Sequence, residues 1–459
     1  MGLWKSPIYR FRVPISIDES EDLKEIIIDV TGSAPPFKEP SENLKEILDE
    51  IFTPESYGKI DTVLEFGAAK LKNIPYILKK GKCVCAVEFQ ELMTNDMTKA
   101  NIKKCKKYRE KFQEIIFPNP FTNDEKKFDL ILLLNVLSVM PIPSERLFLL
   151  KLLHEKLNDK KYLLYVAQKE GSYKKIRDDG NNDIGDGIWM GKGRRFKTFY
   201  KYYPVDELDE IMALLGFDLI KRYTGGDDAR LYQKNNFAPF EDQITEEKII
   251  ENIPVDLTIK DSTTGNLKTV KLTDEIKVVS PNPKKLSLEN LYLDKIRTVP
   301  AGIENAEIYH RLVSYAMARI FRGSLRNMNI KVEIDGGIKI IDTVFTNSST
   351  KGFFNILRSK IDCSYPMIEV KNISTDPTNV EFDQLNGRLT STHGYFGILI
   401  CKKVLDWDKV IARCKTYLPD HFILCLSEQD LIMLIEFSRI GDDDAISDFM
   451  DKKLQTILF

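Results

Sequence analysis

Residues 60–235 alternate short apolar runs with longer amphipathic stretches, and this alternation constrains the fold more than any other feature of the chain. The apolar runs are TVLEF, CVCAVEF, FDLILLL and YLLYVA. Between the last two runs, Leu147, Leu150, Leu153 and Leu157 repeat at helical spacing. Strands that alternate with helices form βαβ units, which build a parallel sheet covered by helices. The sequence therefore predicts an α/β domain in this region.

The chain has 459 residues, more than a typical domain of about 100 to 200, so we expect two or three domains. After residue 237 the alternation stops, and a polar, proline-dotted stretch follows, with a predicted hairpin in VDLTIKDSTTGNLKTVKL. A second compact pattern begins near residue 299. The expected segments are an N-terminal extension (1–57), a first domain (58–237), a connecting module (238–298) and a second domain (299–459).

Composition excludes several classes of protein. The chain is 43% hydrophobic and 30% charged, as in soluble globular proteins, and it has no run of about 18 uncharged apolar residues that could span a membrane. The N-terminus lacks the basic start and apolar core of a signal peptide, so we expect a cytoplasmic protein. Seven cysteines without a CxxC pair indicate neither a disulfide framework nor a structural zinc site.

The net charge of −2 provides no general attraction to nucleic acid, so any such binding must come from local basic patches. In the segment GKGRRFKTFYKYY, basic residues interleave with aromatic ones, a mixture that could hold phosphates and stack bases. A solvated loop with its aromatic rings turned inward would have the same composition. The basic residues are Lys192, Arg194, Arg195, Lys197 and Lys201.

A pair of opposite charges stands out in the apolar segment PMIEVKNIS. Glu369 and Lys371 are two residues apart, so in a strand both side chains lie on the same face. An ordinary ion pair on an edge strand would explain them. Asp342, in the predicted strand GIKIIDTVF, shares a face with apolar neighbours, and a carboxylate buried there needs a cation or a metal ion.

These residues lie on a succession of predicted elements. A helix with Glu304 and Glu307 near its start precedes the strands IKVEI, GIKIIDTVF and PMIEVKNIS, then a helix in VEFDQLNGRL and a last strand, YFGILIC. This order, with Asp342, the Glu369-x-Lys371 pair and Gln384 on the second helix, resembles the PD-(D/E)xK nuclease superfamily over residues 300–430. The resemblance implies a C-terminal α/β fold of the restriction-endonuclease type.

The nuclease resemblance also implies a chemistry. Asp342 and Glu369 would hold Mg²⁺ or Mn²⁺, hard cations that carboxylates suit, and the metal would activate a water for attack on phosphorus. Lys371 would orient that water or neutralise developing charge, and Gln384 would position Lys371 or the phosphate. Glu307 would contact the metal through water. The implied partner is nucleic acid, DNA in the first instance, and the sequence leaves open whether the chain forms a homodimer.

The first domain carries a second resemblance. In DTVLEFGAAKLKN an apolar strand ends at Glu65 and is followed by Gly67, and Glu88 closes the next strand, where an acidic side chain can accept hydrogen bonds from ribose hydroxyls. Asn135 ends the later strand in FDLILLLNVLSVMP. These features resemble class I S-adenosylmethionine-dependent methyltransferases over residues 58–235. They imply a Rossmann-like fold with the cofactor at these four residues, although alanines fill two positions of the usual glycine-rich turn.

Together the resemblances lead to three functional hypotheses. The main one is a metal-dependent nuclease that cleaves DNA in defence against foreign DNA and carries a methyltransferase-like domain. The first alternative is a methyltransferase for a small molecule or RNA, with a C-terminal domain that only binds nucleic acid. The second alternative is a non-catalytic sensor, in which ligand binding to the first domain gates the second.

Overall fold

The protein is described by a computed structural model in which the chain divides into two compact units, Met1–Leu286 and Ser287–Phe459. The structure describes residues 7–14, 23–33, 39–93, 96–108, 110–168, 183–184, 186–191, 197–235, 255–260, 267–272, 277–279 and 287–459.

The first unit is a mixed α/β structure. Its strands are β1 Ile8–Pro14, β2 Leu23–Asp29, β3 Thr62–Phe66, β4 Cys83–Phe89, β5 Phe112–Phe117, β6 Phe128–Leu134, β7 Leu157–Ala167, β8 Asp183–Ile184, β9 Gly187–Met190, β10 Thr198–Tyr200, β11 Phe217–Tyr223, β12 Asp228–Lys234, β13 Val255–Lys260, β14 Leu267–Leu272 and β15 Lys277–Val279. Its α-helices are α1 Glu42–Phe52, α2 Pro54–Tyr57, α3 Ile74–Lys79, α4 Gln90–Met93, α5 Asp96–Cys105, α6 Pro143–Glu155 and α7 Val205–Leu214.

A seven-stranded sheet organises this unit, in the order β11-β12-β7-β6-β3-β4-β5. Strand β12 is antiparallel to both of its neighbours, and the pairs from β7 to β5 are parallel. The apolar runs form the central strands because residues of a parallel sheet are buried on both faces. Strand order reverses between β3 and β6, and ligands of open α/β sheets bind beside such a switch point, at the carboxyl ends of the strands.

The helix α1 belongs to the core beneath this sheet, although it falls within the predicted N-terminal extension. Its side chains Leu44, Leu48 and Ile51 are buried in one cluster with Val63 of β3 and Leu130 of β6. Ser41 caps the helix by accepting a hydrogen bond from the amide of Leu44. An amphipathic helix is stabilised mainly by packing of its apolar face, and here that packing draws the N-terminal segment onto the first domain.

Among the described residues, this unit also has three smaller strand groups, β15-β1-β2, β10-β9-β8 and β13-β14. Strand β1 pairs antiparallel with β2 and parallel with β15, so a strand from the predicted connecting module pairs with the N-terminal segment. The predicted hairpin forms between β13 and β14, which pair antiparallel.

The second unit is built on a five-stranded sheet in the order β16-β17-β18-β19-β20. The first two pairs are antiparallel and the last two are parallel. Its strands are β16 Leu325–Ile334, β17 Lys339–Asn347, β18 Met367–Lys371, β19 Phe396–Cys401 and β20 Phe422–Ser427. Its α-helices are α8 Leu288–Thr298, α9 Ala306–Ile320, α10 Gly352–Lys360, α11 Asn379–Asn386, α12 Trp407–Thr416, α13 Glu428–Ile440 and α14 Asp443–Leu458.

Two features of the second unit differ from the sequence-based expectation. Helix α8 was not predicted, and its residues fall in the predicted connecting module, but it packs on α9 and α13, with Leu291, Tyr292 and Ile296 buried. Helix α10 adds an element between the second and third strands of the predicted order. Among the described residues, no helix has the length and apolar character needed to cross a bilayer.

Candidate functional sites

A cavity that opens to solvent lies at the carboxyl ends of β3, β4 and β6 in the first unit. The wall is mostly apolar, and polar groups come from a few positions. Its lining residues are Val30, Thr31, Phe66, Gly67, Ala69, Val87, Glu88, Phe89, Leu92, Phe117, Leu134, Asn135, Val136, Val139 and Met140. A largely apolar concave site with a few polar groups is the usual form of a small-molecule or cofactor site.

The turn after β3 requires glycine at its first position. Gly67 has a φ of 70°, and a Cβ atom there would lie 2.5 Å from Cγ2 of Val136. The amide of Gly67 donates to the carbonyl oxygen of Val87 at 2.9 Å, which holds the turn against β4. Ala69 also has a positive φ, 47°, although alanine rarely adopts this conformation. The turn therefore contains two residues with positive φ, Gly67 and Ala69.

Glu88 lies at the end of β4, lines the cavity and is buried. Its Oε2 accepts a hydrogen bond from the amide of Ala69 at 2.7 Å, and its Oε1 accepts one from the amide of Phe89 at 2.9 Å. The carboxylate thus links the end of β4 to the turn after β3. It places a negative charge at the position where the sequence predicts a ribose-binding acid.

Asn135 follows β6 in a left-handed conformation, with a φ of 58°. Its amide donates to the carbonyl oxygen of Val166 at 2.7 Å, while its side-chain Oδ1 is buried without a hydrogen-bond partner among the described residues. A buried acceptor left without a donor costs about 1 to 3 kcal/mol. Because Asn135 lines the cavity, a bound ligand with an N–H or O–H group could supply that donor.

Glu65 does not line the cavity, although the sequence analysis grouped it with the cofactor residues. Its side chain is buried, and its Oε1 accepts a hydrogen bond from Nδ2 of Asn73 at 2.5 Å. Oε2 has no partner among the described residues. Burial raises the pKa of the Glu65 carboxyl from 4.5 to about 7.

The raised pKa of Glu65 gives the first unit a pH-dependent stability. As the pH rises from 4.5 to 7, the unfolded chain loses this proton while the folded chain retains it, so stability falls across that range, by about 3 kcal/mol. Glutamine mimics the neutral acid. We therefore expect Glu65→Gln to raise the melting temperature more at pH 8 than at pH 5, measured beside Glu55→Gln, an exposed control. An equal effect at both pH values would contradict this assignment.

The N-terminal segment contributes Val30 and Thr31 to the cavity wall, which the sequence analysis did not foresee. Both lie in a 3-10 helix, Val30–Ser33, directly after β2. Oδ1 of Asp29 accepts hydrogen bonds from the amide and the hydroxyl of Thr31, and the amide of Asp29 donates to the carbonyl oxygen of Lys197. These contacts fix the segment at the cavity.

The basic aromatic segment is described only in part, because Lys192, Arg194 and Arg195 lie outside the described residues. Lys201 is buried, and its Nζ lies 2.8 Å from Glu207 and 3.3 Å from Asp186. The charge of Lys201 is therefore paired with these two carboxylates inside the fold and does not face a phosphate at the surface.

The second unit brings together the residues of the predicted nuclease motif. Asp342 lies on β17, and Glu369 and Lys371 lie on the adjacent strand β18. Oδ2 of Asp342 accepts a hydrogen bond from the amide of Val370 at 3.1 Å. Nζ of Lys371 lies 2.8 Å from Oε1 of Glu369 and donates to Oε1 of Gln384, on α11, at 2.7 Å. Three elements thus converge on one polar site.

Two basic residues absent from the sequence analysis complete this site. Arg388 forms an ion pair with Oε2 of Glu369 through its Nη1. Nζ of Lys331, on β16, lies 3.5 Å from Oδ1 of Asp342 and 3.3 Å from Oε2 of Glu307. Burial and the charge of Asp342 raise the pKa of the Glu369 carboxyl, while the two neighbouring cations oppose that rise.

Among the residues that the structure describes, no group of three or more His, Cys, Asp or Glu side chains is placed to hold a metal ion. Asp342 and Glu369 provide two carboxylates on neighbouring strands. Mg²⁺ is commonly held by one or two protein carboxylates, and water or substrate oxygens complete its shell. The donor type therefore suits a magnesium-type ion, but both oxygens of Glu369 are engaged by cations here, Oε1 by Lys371 and Oε2 by Arg388.

No protein-family model matches the sequence, and no curated protein matches it. Part of the chain is similar to solved methyltransferase structures. The 1,6-didemethyltoxoflavin-N1-methyltransferase of Burkholderia thailandensis, with bound 1,6-didemethyltoxoflavin and S-adenosylhomocysteine, is 16% identical over 42% of this chain and 80% of its own, with a TM-score of 0.31. The CcbJ methyltransferase of Streptomyces caelestis is 15% identical over 45% and 95%, with a TM-score of 0.34.

A third similar structure is the magnesium protoporphyrin IX methyltransferase of Synechocystis PCC 6803 with bound S-adenosylhomocysteine, 13% identical over 42% of this chain and 84% of its own, with a TM-score of 0.32. The strand order and strand directions of the first unit define a Rossmann-like α/β fold, as the sequence predicts.

Proposed function

We propose that the chain is a methyltransferase whose first unit binds S-adenosylmethionine in the cavity at the switch point of the sheet. The observation that carries this proposal is the pairing of a turn that admits only glycine, at Gly67, with an acceptor left without a donor, at Asn135. Both features border one cavity. The missing Cβ of Gly67 lets Val136 pack against the turn at the edge of the cavity, and the side-chain oxygen of Asn135 has no hydrogen-bond donor among the described residues.

The residues that would hold the cofactor divide into polar and apolar groups. Glu88 would accept hydrogen bonds from ribose hydroxyls, as acids at this position do in dinucleotide folds. Phe89, Phe117 and Leu134 would exclude water from the apolar wall. The bound cofactor supplies an activated methyl group. The acceptor in this proposal is a small molecule or RNA, with the second unit binding nucleic acid in the latter case.

Glu88→Gln should weaken the binding of S-adenosylhomocysteine by about ten-fold to a hundred-fold. A hydrogen bond to a charged group contributes about 1.5 to 3 kcal/mol, and the substitution removes the charge while keeping the side chain's size. Isothermal titration of the full chain measures the change, with melting temperatures recorded for both proteins. Glu114→Gln, at an exposed position on β5, is the matched control. Equal affinity in Glu88→Gln and wild type would remove Glu88 from the site.

A second candidate function, phosphodiester hydrolysis by the second unit, is favoured by one specific observation. An ion pair and a hydrogen bond join Glu369, Lys371 and Gln384, and Asp342 on the neighbouring strand accepts a hydrogen bond from the amide of Val370, the residue between Glu369 and Lys371. A simple surface ion pair would not require the hydrogen bond from Lys371 to Gln384. The side chain of Glu369 is also only 3% exposed, unlike that of a surface pair.

In this second function each residue has a separate task. Asp342 and Glu369 would hold a divalent cation, which supplies Lewis-acid activation of the phosphate and its attacking water. Lys371 would orient that water or neutralise charge on phosphate oxygens as a compact cation. Gln384 fixes the ammonium group of Lys371 through its 2.7 Å hydrogen bond. DNA is the proposed substrate, and a role in defence against foreign DNA belongs to this candidate function.

A further inference from the structure

Glu369 is enclosed by two cations from different parts of the second unit. Its Oε1 lies 2.8 Å from Nζ of Lys371, and its Oε2 is paired with Arg388. The Glu369 side chain is 3% exposed and that of Arg388 is 12% exposed, so this pair is largely removed from water. A buried ion pair of this kind is costly to break by deleting one partner, unless another cation takes its place.

The charges around this site balance without a metal ion. Glu307, Asp342 and Glu369 face three basic side chains, Lys331, Lys371 and Arg388. A divalent cation bound to Asp342 and Glu369 would add two positive charges next to these lysines and this arginine. Its binding therefore requires that a resident cation withdraw.

Arg388 is the cation whose withdrawal disturbs the site least. Lys371 is also bound to Gln384, and Lys331 bridges Glu307 and Asp342. Among the described residues, the Arg388 guanidinium contacts no acceptor other than Glu369.

We propose that Arg388 is a resident counter-ion that occupies Glu369 until a divalent cation replaces it, and that the released guanidinium then binds a phosphate of the substrate. This inference rests on the hydrolytic function proposed for the second unit. The planar guanidinium forms two parallel hydrogen bonds to phosphate, which an ammonium group cannot do in the same geometry. Metal binding at Glu369 and phosphate binding by Arg388 both favour a position of Arg388 away from Glu369. Each binding event would therefore strengthen the other.

Binding of Mn²⁺ to the full-length chain tests this exchange without relying on catalysis. Removing the competing charge in Arg388→Met should tighten Mn²⁺ binding at least ten-fold in isothermal titration. Arg358→Met, at an exposed arginine on α10, should leave the affinity unchanged. Glu369→Gln should abolish binding in both the wild-type and the Arg388→Met background. Phosphorothioate DNA should tighten Mn²⁺ binding in wild type and do so less in Arg388→Met.

Three outcomes distinguish the counter-ion role of Arg388 from the hydrolytic function on which that role depends. If wild type and Arg388→Met bind Mn²⁺ equally, the counter-ion role is wrong while the metal site stands. If Arg388→Met binds Mn²⁺ more weakly and melts at a lower temperature, Arg388 is a structural tie and the inference is overturned. If neither protein binds Mn²⁺ at all, the hydrolytic function fails, and the role of Arg388 fails with it.

Discussion

Gly67→Ala will abolish binding of S-adenosylmethionine and lower the melting temperature of the first unit. The new Cβ would lie 2.5 Å from Cγ2 of Val136, and Val136 is β-branched and buried, so it has little freedom to move aside. Overpacking of this kind costs about 1 to 3 kcal/mol, and the left-handed backbone adds about 1 to 2 kcal/mol. Any shift of the turn would also disturb the hydrogen bond between Ala69 and Glu88 at the cavity.

Gly81→Ala is the matched control for this prediction. Gly81 has a φ of 81°, and a Cβ atom there would have no neighbour within 4 Å. Both substitutions therefore carry the backbone cost, and only Gly67→Ala adds the clash at the cavity. Differential scanning fluorimetry and isothermal titration with S-adenosylhomocysteine should show a small loss of stability and unchanged affinity for Gly81→Ala. Similar losses of affinity in the two variants would show that the close approach to Val136 has no role.

Lys371→Ala will reduce metal-dependent cleavage of supercoiled plasmid by about 100-fold to 1,000-fold if the second unit hydrolyses phosphodiesters. Preorganised groups that stabilise charge in a transition state contribute about 2.7 to 4 kcal/mol. Lys371 is held in place by Glu369 and Gln384, so its ammonium group needs no reordering during the reaction. Lys371→Arg should restore little activity, since a planar fork cannot occupy the place of a compact cation.

The control for this loss is Lys360→Ala, at an exposed lysine on α10, which should cleave at the wild-type rate. Melting temperatures show whether each variant is folded. Cleavage by Lys371→Ala at the wild-type rate would show that Glu369 and Lys371 form an ordinary ion pair with no catalytic role. An absence of cleavage in wild type with Mg²⁺ or Mn²⁺ would leave methyl transfer as the function of the chain.

Periodicity predicted the centre of the first unit because its strands are apolar runs of the right length. TVLEF, CVCAVEF and FDLILLL form β3, β4 and β6 with the expected limits. Strand β5, FQEIIF, was missed because its exposed edge position admits polar residues. The place of helix α1 also escaped prediction. Its amphipathic pattern indicates that a face is buried, but no local pattern states which surface buries it.

In the candidate sites too, the positions that local sequence rules describe were predicted, and a contact that depends on the folded chain was missed. Spacing placed Glu369 and Lys371 on one face, and the strand-end rule placed Gly67, Glu88 and Asn135 at one cavity. Arg388 was missed because it reaches Glu369 across 19 positions of sequence, through a helix and a turn. Such contacts depend on strand pairing and helix packing, which no spacing rule encodes. The restriction-endonuclease-like assignment of the second unit remains a proposal that these contacts support.

The methyltransferase proposal and the sensor hypothesis both require that S-adenosylmethionine or a similar ligand binds in the cavity of the first unit. Binding of S-adenosylmethionine is therefore the central claim to test. Equilibrium dialysis of the full-length chain against radiolabelled S-adenosylmethionine measures it most directly. We predict saturable binding of one cofactor per chain, displaced by S-adenosylhomocysteine, lost in Gly67→Ala and retained in Gly81→Ala. An absence of saturable binding by the folded wild-type chain would contradict the assignment of the cavity.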